Sequence, residues 1–269
     1  MGTVDLGLGG KVVILSGGSM GIGFACAQAF AAEGAKVAMA ARTRERLEQA
    51  AETIRQRTPG AEVLPVSADM TRTEDVRRFV EAAVDRWGRI DVLLNIAGAA
   101  RGGLLEDLSD EEWWDGLNLK FLGYMRMLRA VLPVMVRQGG GRVVNIVGND
   151  GAKPFAGEIV PGAANAADYN LTQALAEQYA PHNILINAIN PGPVSTERWD
   201  TLEKAMARDK GVSQEQVHQA ALRSLPLGRI CTPEEVARLV VFLGSECNTY
   251  ITGALIPIDG AQRKALLDA

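Results

Sequence analysis

Hydrophobic and polar positions along the chain follow two periods by turns. Short apolar runs bounded by turn residues alternate with longer stretches whose apolar positions recur at three- and four-residue spacing, the patterns of buried strands and of amphipathic helices. Strands are predicted over residues 11–15, 36–41, 62–67, 90–96, 142–147, 184–189 and 254–258. Helices are predicted over 24–33, 44–57, 74–87, 109–138, 163–179 and 233–243. Gly34, Thr58-Pro59-Gly60 and the glycines at 139–141 end three of them, and Ser109 with Glu112 has the spacing of a capping box. Strand and helix keep alternating, which implies an α/β fold with a parallel sheet covered by helices on both faces. Residues 199–224 depart from this pattern as a polar helical insertion with a weaker core signal. No repeat, linker or low-complexity tract interrupts the chain, so residues 1–269 are expected to form one domain.

The 269 residues are enough for one large core, and a net charge of −4 argues against general nucleic-acid binding. No apolar run is long enough to span a bilayer, so no membrane association is expected. The three cysteines, Cys26, Cys231 and Cys247, are far apart and odd in number, as suits thiols in a reducing cytoplasm. His182 and His218 have no ligand cluster at metal-binding spacing, so no metal site is expected.

The strongest chemical signal is Ser16-Gly17-Gly18-Ser19-Met20-Gly21-Ile22-Gly23, set between a predicted strand and a predicted helix. In that context Gly17 serves a sharp turn, Gly21 lets the backbone approach a pyrophosphate, and Gly23 allows close helix–strand packing. The helix N-terminus then offers free N–H groups and partial positive charge to phosphates. The second strand ends in Ala41 and Arg42 rather than an acidic residue. A guanidinium there suits the 2′-phosphate of NADP, with NAD as second choice. Asp69, Asn95 and Gly98 fall at the carboxyl ends of later strands, where ligands of such sheets sit.

Taken together, these residues resemble the short-chain dehydrogenase/reductase family over essentially the whole chain. The matching motifs are the turn at 16–23, Asp69 with Met70, Asn95-x-Ala97-Gly98, Asn118, Asn190-Pro191-Gly192-Pro193-Val194-x-Thr196, and Ile251-Thr252-Gly253 with Asp259-Gly260. The resemblance implies a doubly wound, seven-stranded Rossmann-type sheet and a bound nicotinamide dinucleotide. The dinucleotide would be contacted by Gly17, Ser19, Met20, Gly21, Ile22, Gly23, Arg42, Asp69, Met70, Asn95, Ala97, Gly98, Asn165, Pro191, Gly192, Val194 and Thr196. It further implies a substrate lid over 196–226, a small-molecule substrate, and homodimers or homotetramers formed through the long helices holding Asn118 and Asn165. Trp199, Leu202, Met206 and Leu225 are expected to line an apolar pocket, with Arg198 and Arg208 available to an anionic group.

The family's hydride chemistry uses an Asn, a Ser, and a Tyr and Lys in the pattern Y-x-x-x-K. Counting along the chain puts Gly148 at the Ser position, Pro161 at the Tyr position and Asn165 at the Lys position, and leaves Asn118 as the surviving member. Tyr169 does not rescue the pattern, because its fourth following residue is Gln173. Proline and glycine offer no ionisable group. Three readings stay open: a divergent oxidoreductase with a relocated proton donor, a non-redox lyase, hydratase or isomerase, and a non-catalytic dinucleotide-binding subunit. For the first, the loop between Gly148 and Pro161 carries Asn149, Asp150, Lys153 and Glu158, and Lys120 lies two residues past Asn118. Asp150 or Glu158, beside a desolvated pocket, is the candidate acid or base.

Overall fold

Seven strands are read out of the apolar runs: β1 (Val12–Ser16), β2 (Lys36–Ala41), β3 (Val63–Ser67), β4 (Val92–Asn95), β5 (Gly141–Ile146), β6 (Ile184–Pro191) and β7 (Leu255–Ile258). Among the described residues eight α-helices separate or follow them: α1 (Gly21–Ala32), α2 (Arg44–Arg57), α3 (Thr73–Trp87), α4 (Asp110–Gln138), α5 (Ile159–Tyr179), α6 (Glu197–Lys210), α7 (Gln214–Ser224) and α8 (Pro233–Gly244). The computed structural model describes residues 5–262. The strands form one sheet in the order β3-β2-β1-β4-β5-β6-β7, parallel throughout. The doubly wound α/β architecture in a single domain is therefore the observed one.

The pleat decides which side of the sheet each side chain serves. Val13, Leu15, Val37, Met39, Val92 and Leu94 pack on one face with Phe30 of α1, Leu47 and Ile54 of α2, and Val236 and Val240 of α8. Ile14, Ala38, Ala40, Leu93 and Val143 pack on the other with Phe79 of α3, Met127 and Val131 of α4, and Ala176 of α5. Each fully buried Val, Leu, Ile, Phe or Met side chain contributes roughly 1.5–3 kcal/mol. The strand order reverses between β1 and β4, so the loops leaving these two strands diverge and open a crevice at the carboxyl edge.

Two departures from the pattern-based expectation bear on the site. Helix α5 begins at Ile159, not at residue 163, because Pro161 and Gly162 sit in its first turn. The missing N–H of Pro161 costs nothing there, since first-turn N–H groups have no partner within the helix. The polar insertion is two helices. Gly211 ends α6 in the left-handed conformation (φ 64°), and Ser213 starts α7 with a capping box to Gln216.

Candidate active site

The crevice holds an outer groove of about 590 Å3 lined by the 17–23 turn, the ends of β2 and β3, the loop after β4 and the start of α6. Its floor depends on two glycines. Gly17 has φ 76°, and a Cβ there would lie 3.0 Å from the Ala97 nitrogen. A Cβ on Gly23 would lie 2.0 Å from the Gly17 carbonyl oxygen. The α1 N-terminus has no side-chain cap and no acidic residue in its first turn, so its N–H groups and partial positive charge face the groove. Ser16 Oγ accepts the Ile96 and Ala97 N–H groups (3.1 and 3.2 Å) and fixes the opposing loop against the turn. Arg42 is exposed at the end of β2, with Arg46 beside it on the same wall.

An inner chamber of about 230 Å3 adjoins the groove, and the two share Ile22, Ile96, Gly98, Thr196 and Arg198. Lys120, Asp150 and Glu158 line it, and α6 covers it with Arg198, Trp199 and Leu202. At its base Gly148 N–H donates to Asn165 Oδ1 (2.9 Å), Asn165 Nδ2 donates to Asp150 Oδ1 (2.7 Å), and the Tyr169 hydroxyl donates to the Gly148 carbonyl (2.6 Å). This clasp fills the room that a side chain at 148 would need. A Cβ there would lie 2.3 Å from both Asn165 Nδ2 and Asp150 Oδ1. Gly148→Ser is therefore expected to expel the clasp and lower stability by about 1–3 kcal/mol. Urea unfolding checks this, and an unchanged midpoint would show that the clasp yields freely.

The electrostatics of the chamber follow from burial. Burial pushes the Glu158 carboxyl up to about 7, the Asp150 charge adds to the rise, and Arg198 and Lys120 oppose it. Burial lowers the Lys120 ammonium, and Asp150, Asp168 and Glu158 oppose that fall. Asp168, wholly enclosed on α5, is pushed up by burial, with Lys120 opposing.

Most of the expected cofactor residues meet here. Gly17, Ser19, Met20, Gly21, Ile22, Gly23, Arg42, Asp69, Met70, Ala97, Gly98 and Thr196 line the groove. Pro191, Gly192, Val194 and Asn165 line the chamber. Asn95 does not: it is fully buried and donates to Asn145 Oδ1 (2.9 Å), tying β4 to β5. Asn118 does not line the chamber either, because its carboxamide and carbonyl accept from Arg126 (2.7 and 3.0 Å). Two positions along a helix differ by about 200° in direction, and it is Lys120 that faces inward. Lys120 continues the buried stripe Gly116, Tyr124, Met127 and Val131 at three- and four-residue spacing, a signal present in the sequence. Asp168 likewise lies on the buried stripe of α5 with Ala164, Asn165 and Thr172. Asn165 is committed to the clasp through its oxygen and one amide hydrogen, which leaves a single N–H for a ligand. Of the lid residues, Trp199 and Leu202 reach the chamber, Met206 packs within the α6–α7 pair, Leu225 lines a separate cavity, and Arg208 pairs with Asp209.

Comparison with known proteins agrees with this architecture. A family model described as enoyl-(acyl carrier protein) reductase matches residues 17–261. The 3-oxoacyl-[acyl-carrier-protein] reductase FabG of Thermotoga maritima is 34% identical over 253 residues, covering 94% of this chain and 98% of the relative. The short-chain reductase protein NovJ of Streptomyces niveus is 36% identical over 252 residues, covering 94% of both. Among solved structures, L-sorbose reductase from Gluconobacter frateurii, complexed with NADPH and L-sorbose, matches with a TM-score of 0.91 at 32% identity, covering 98% of this chain and 100% of that one. Actinorhodin polyketide ketoreductase with NADPH gives a TM-score of 0.91 at 29% identity, covering 97% and 99%.

Proposed function

The chain belongs to the short-chain dehydrogenase/reductase family, and from that premise we propose that it is an NADP(H)-dependent oxidoreductase. Its substrate is a small carbonyl compound or the corresponding alcohol, and Glu158 replaces the family's tyrosine as acid and base. The observation that carries the reading is the join between groove and chamber at Gly98, with a Glu158 carboxyl that titrates near neutrality facing the chamber.

The groove suits a dinucleotide. Gly17 and Gly23 leave backbone where a side chain would intrude, and the uncapped α1 N-terminus offers donors to a pyrophosphate. Arg42 stands where a 2′-phosphate would be recognised. When bound, the nicotinamide supplies or accepts a hydride. The chain's own residues position the reacting carbon and move the proton. Below about pH 7 Glu158 holds a proton to give to the oxygen of a carbonyl undergoing reduction, and above it the carboxylate can take one from an alcohol. Asp150 is a positioning residue, held by Asn165, whose charge helps keep the Glu158 proton in place. The segment 196–226 acts as the substrate lid, with Trp199 and Leu202 as its apolar underside and Thr196 as the N-cap of α6 (3.2 Å to Trp199 N). Association of two or four copies through α4 and α5 belongs to the same reading, and Trp114, 67% exposed on α4, is available for it. No helix among the described residues is long and apolar enough to cross a membrane.

Equilibrium titration with each cofactor tests the groove. NADPH is expected to bind in preference to NADH. Arg42→Ala is expected to weaken NADPH by roughly 10–100-fold, the weight of a charged hydrogen bond of about 1.5–3 kcal/mol, and to leave NADH nearly unchanged. Equal affinity for both cofactors would remove the role of Arg42. NADPH oxidation and NADP+ reduction are then followed over a panel of small ketones, aldehydes and alcohols. Tight binding without turnover in either direction would overturn the oxidoreductase reading.

A further inference from the structure

The proposed reaction leaves two ionisable groups unused, the half-buried Lys120 on α4 and the fully buried Asp168 on α5. Helices α4 and α5 pack against each other. Asp168 is fully enclosed, and both of its carboxyl oxygens are buried without a hydrogen-bond partner. Such a group is costly unless an opposite charge lies near it. Lys120 is that charge, and the two groups interact electrostatically. The Lys120 ammonium itself makes no hydrogen bond or ion pair among the described residues. Its stem rests on Gly98, where a Cβ would lie 3.2 Å from Lys120 Cγ and 3.7 Å from Nζ. Gly98 lines both the groove and the chamber, so the amine sits at their junction, where a hydride donor and its acceptor would meet.

We infer that Lys120 is a catalytic residue whose ammonium holds the substrate oxygen at this junction, and that Asp168 is the positioning residue that keeps the charge on it. The inference rests on the oxidoreductase reading and assigns to the substrate oxygen a cation held on α4, beside the Arg198 guanidinium of α6. Asn165 cannot supply it, being neutral and tied into the clasp. A lysine on α4 thus faces an asparagine on α5, the reverse of the placement that the family resemblance leads one to expect. In reduction, bound NADPH would supply the hydride to the substrate carbon, Lys120 would hold the oxygen that takes up the C=O π pair, and Glu158 would give that oxygen its proton and regain one from water, so that the products would be the alcohol and NADP+. The charged and titratable groups around Lys120 are Asp150 from the β5–α5 loop, Glu158 and Asp168 from α5, and Arg198 from α6. Tyr124, one turn along α4, and Tyr169 of α5 feel the Asp168 charge and are pushed up chiefly by burial.

The pair is tested first without cofactor or substrate. In lysine-labelled, unliganded protein, the Nζ resonance of Lys120, assigned by its loss in Lys120→Arg, is followed against pH by NMR. It is expected to titrate below an ordinary lysine. Asp168→Asn should move it lower still by about one pH unit or more, because the supporting carboxylate is gone. An unmoved titration in Asp168→Asn overturns the pairing. Turnover provides the second test. Lys120→Met is expected to lower kcat by about 10²–10³ with little change in KM, as for loss of a group that stabilises developing charge. Lys120→Gln, with unfolding curves for both variants, separates this from misfolding, and retention of kcat in folded variants overturns the catalytic role. If the unaltered protein turns over no carbonyl or alcohol, the oxidoreductase reading and the catalytic role of Lys120 fall together. The unliganded titration still decides whether Asp168 supports Lys120.

Discussion

Glu158→Gln lowers NADPH-linked turnover by about 10²–10⁴ and leaves NADPH affinity nearly unchanged, the expected result if this carboxyl carries the proton. The amide keeps the size and polarity of the side chain and loses only its titration. Glu158 stands at the N-cap position of α5, yet its side chain makes no capping hydrogen bond. The carboxyl lies instead near Gly102 and lines the chamber. The pH dependence has a definite sign. The carboxyl is raised to about 7, so the protonated form needed for reduction dominates below that value and is lost above it. Log kcat for reduction should fall with pH through about 7 in the unaltered protein, and alcohol oxidation should rise through the same region. Asp150→Asn should move both breaks to lower pH, because the Asp150 charge is one of the causes of the rise. Steady-state kinetics from pH 5 to 9 reads all of this, and a Glu158→Gln variant with undiminished kcat would place the proton elsewhere.

The second large effect concerns the cofactor turn. Gly23→Ala is expected to weaken NADPH binding by about 100-fold or more and to lower stability by roughly 1–3 kcal/mol or beyond. The added methyl would lie 2.0 Å from the Gly17 oxygen and 2.7 Å from its carbonyl carbon. These are backbone atoms with no rotamer to move, so the turn itself must shift, and its N–H groups shift with it. Gly9→Ala is the control, since a Cβ there meets nothing within 4 Å and the backbone needs no left-handed conformation. Fluorescence titration with NADPH and urea unfolding separate the two losses. A Gly23→Ala protein that binds NADPH as tightly as the control would mean that the turn is not the pyrophosphate cradle.

The parts of the site that were legible in the sequence are those with local causes. The 16–23 turn is recognisable because strand, glycines and helix are consecutive, and Gly23 answers to Gly17 a few residues away. Arg42 is legible because it ends a strand whose carboxyl edge must face the crevice. The carboxyls of Asp150 and Glu158 could be proposed because the loop after β5 opens into the same crevice. Asn95 and Asn118 line neither groove nor chamber, because each side chain is engaged elsewhere: Asn95 donates to Asn145 across the sheet, and Asn118 accepts from Arg126 two turns along α4. Helical phase read against the buried stripe of α4 points to Lys120 instead.

By itself, then, the amino-acid sequence determined the alternation of strands and helices, the parallel α/β architecture and the location of the glycine-rich turn. Periodicity and glycine requirements act over a few residues and need no knowledge of distant partners. Only the tertiary structure decided what became of the chamber. It showed that Gly148 is the space into which Asn165 and Asp150 close, that Asp168 is buried on α5 with both carboxyl oxygens unpartnered, and that Lys120 lines the chamber beside Gly98. These interactions join α4, α5 and the loop after β5 across gaps of 15 and 48 residues, in the Asn165–Asp150 hydrogen bond and the Lys120–Asp168 interaction. Burial and charge arise from such packing and from nothing local, so the glycine-rich turn and the Asp150 and Glu158 carboxyls could be read along the chain, while the clasp at Gly148 and the placement of Lys120 and Asp168 required the fold.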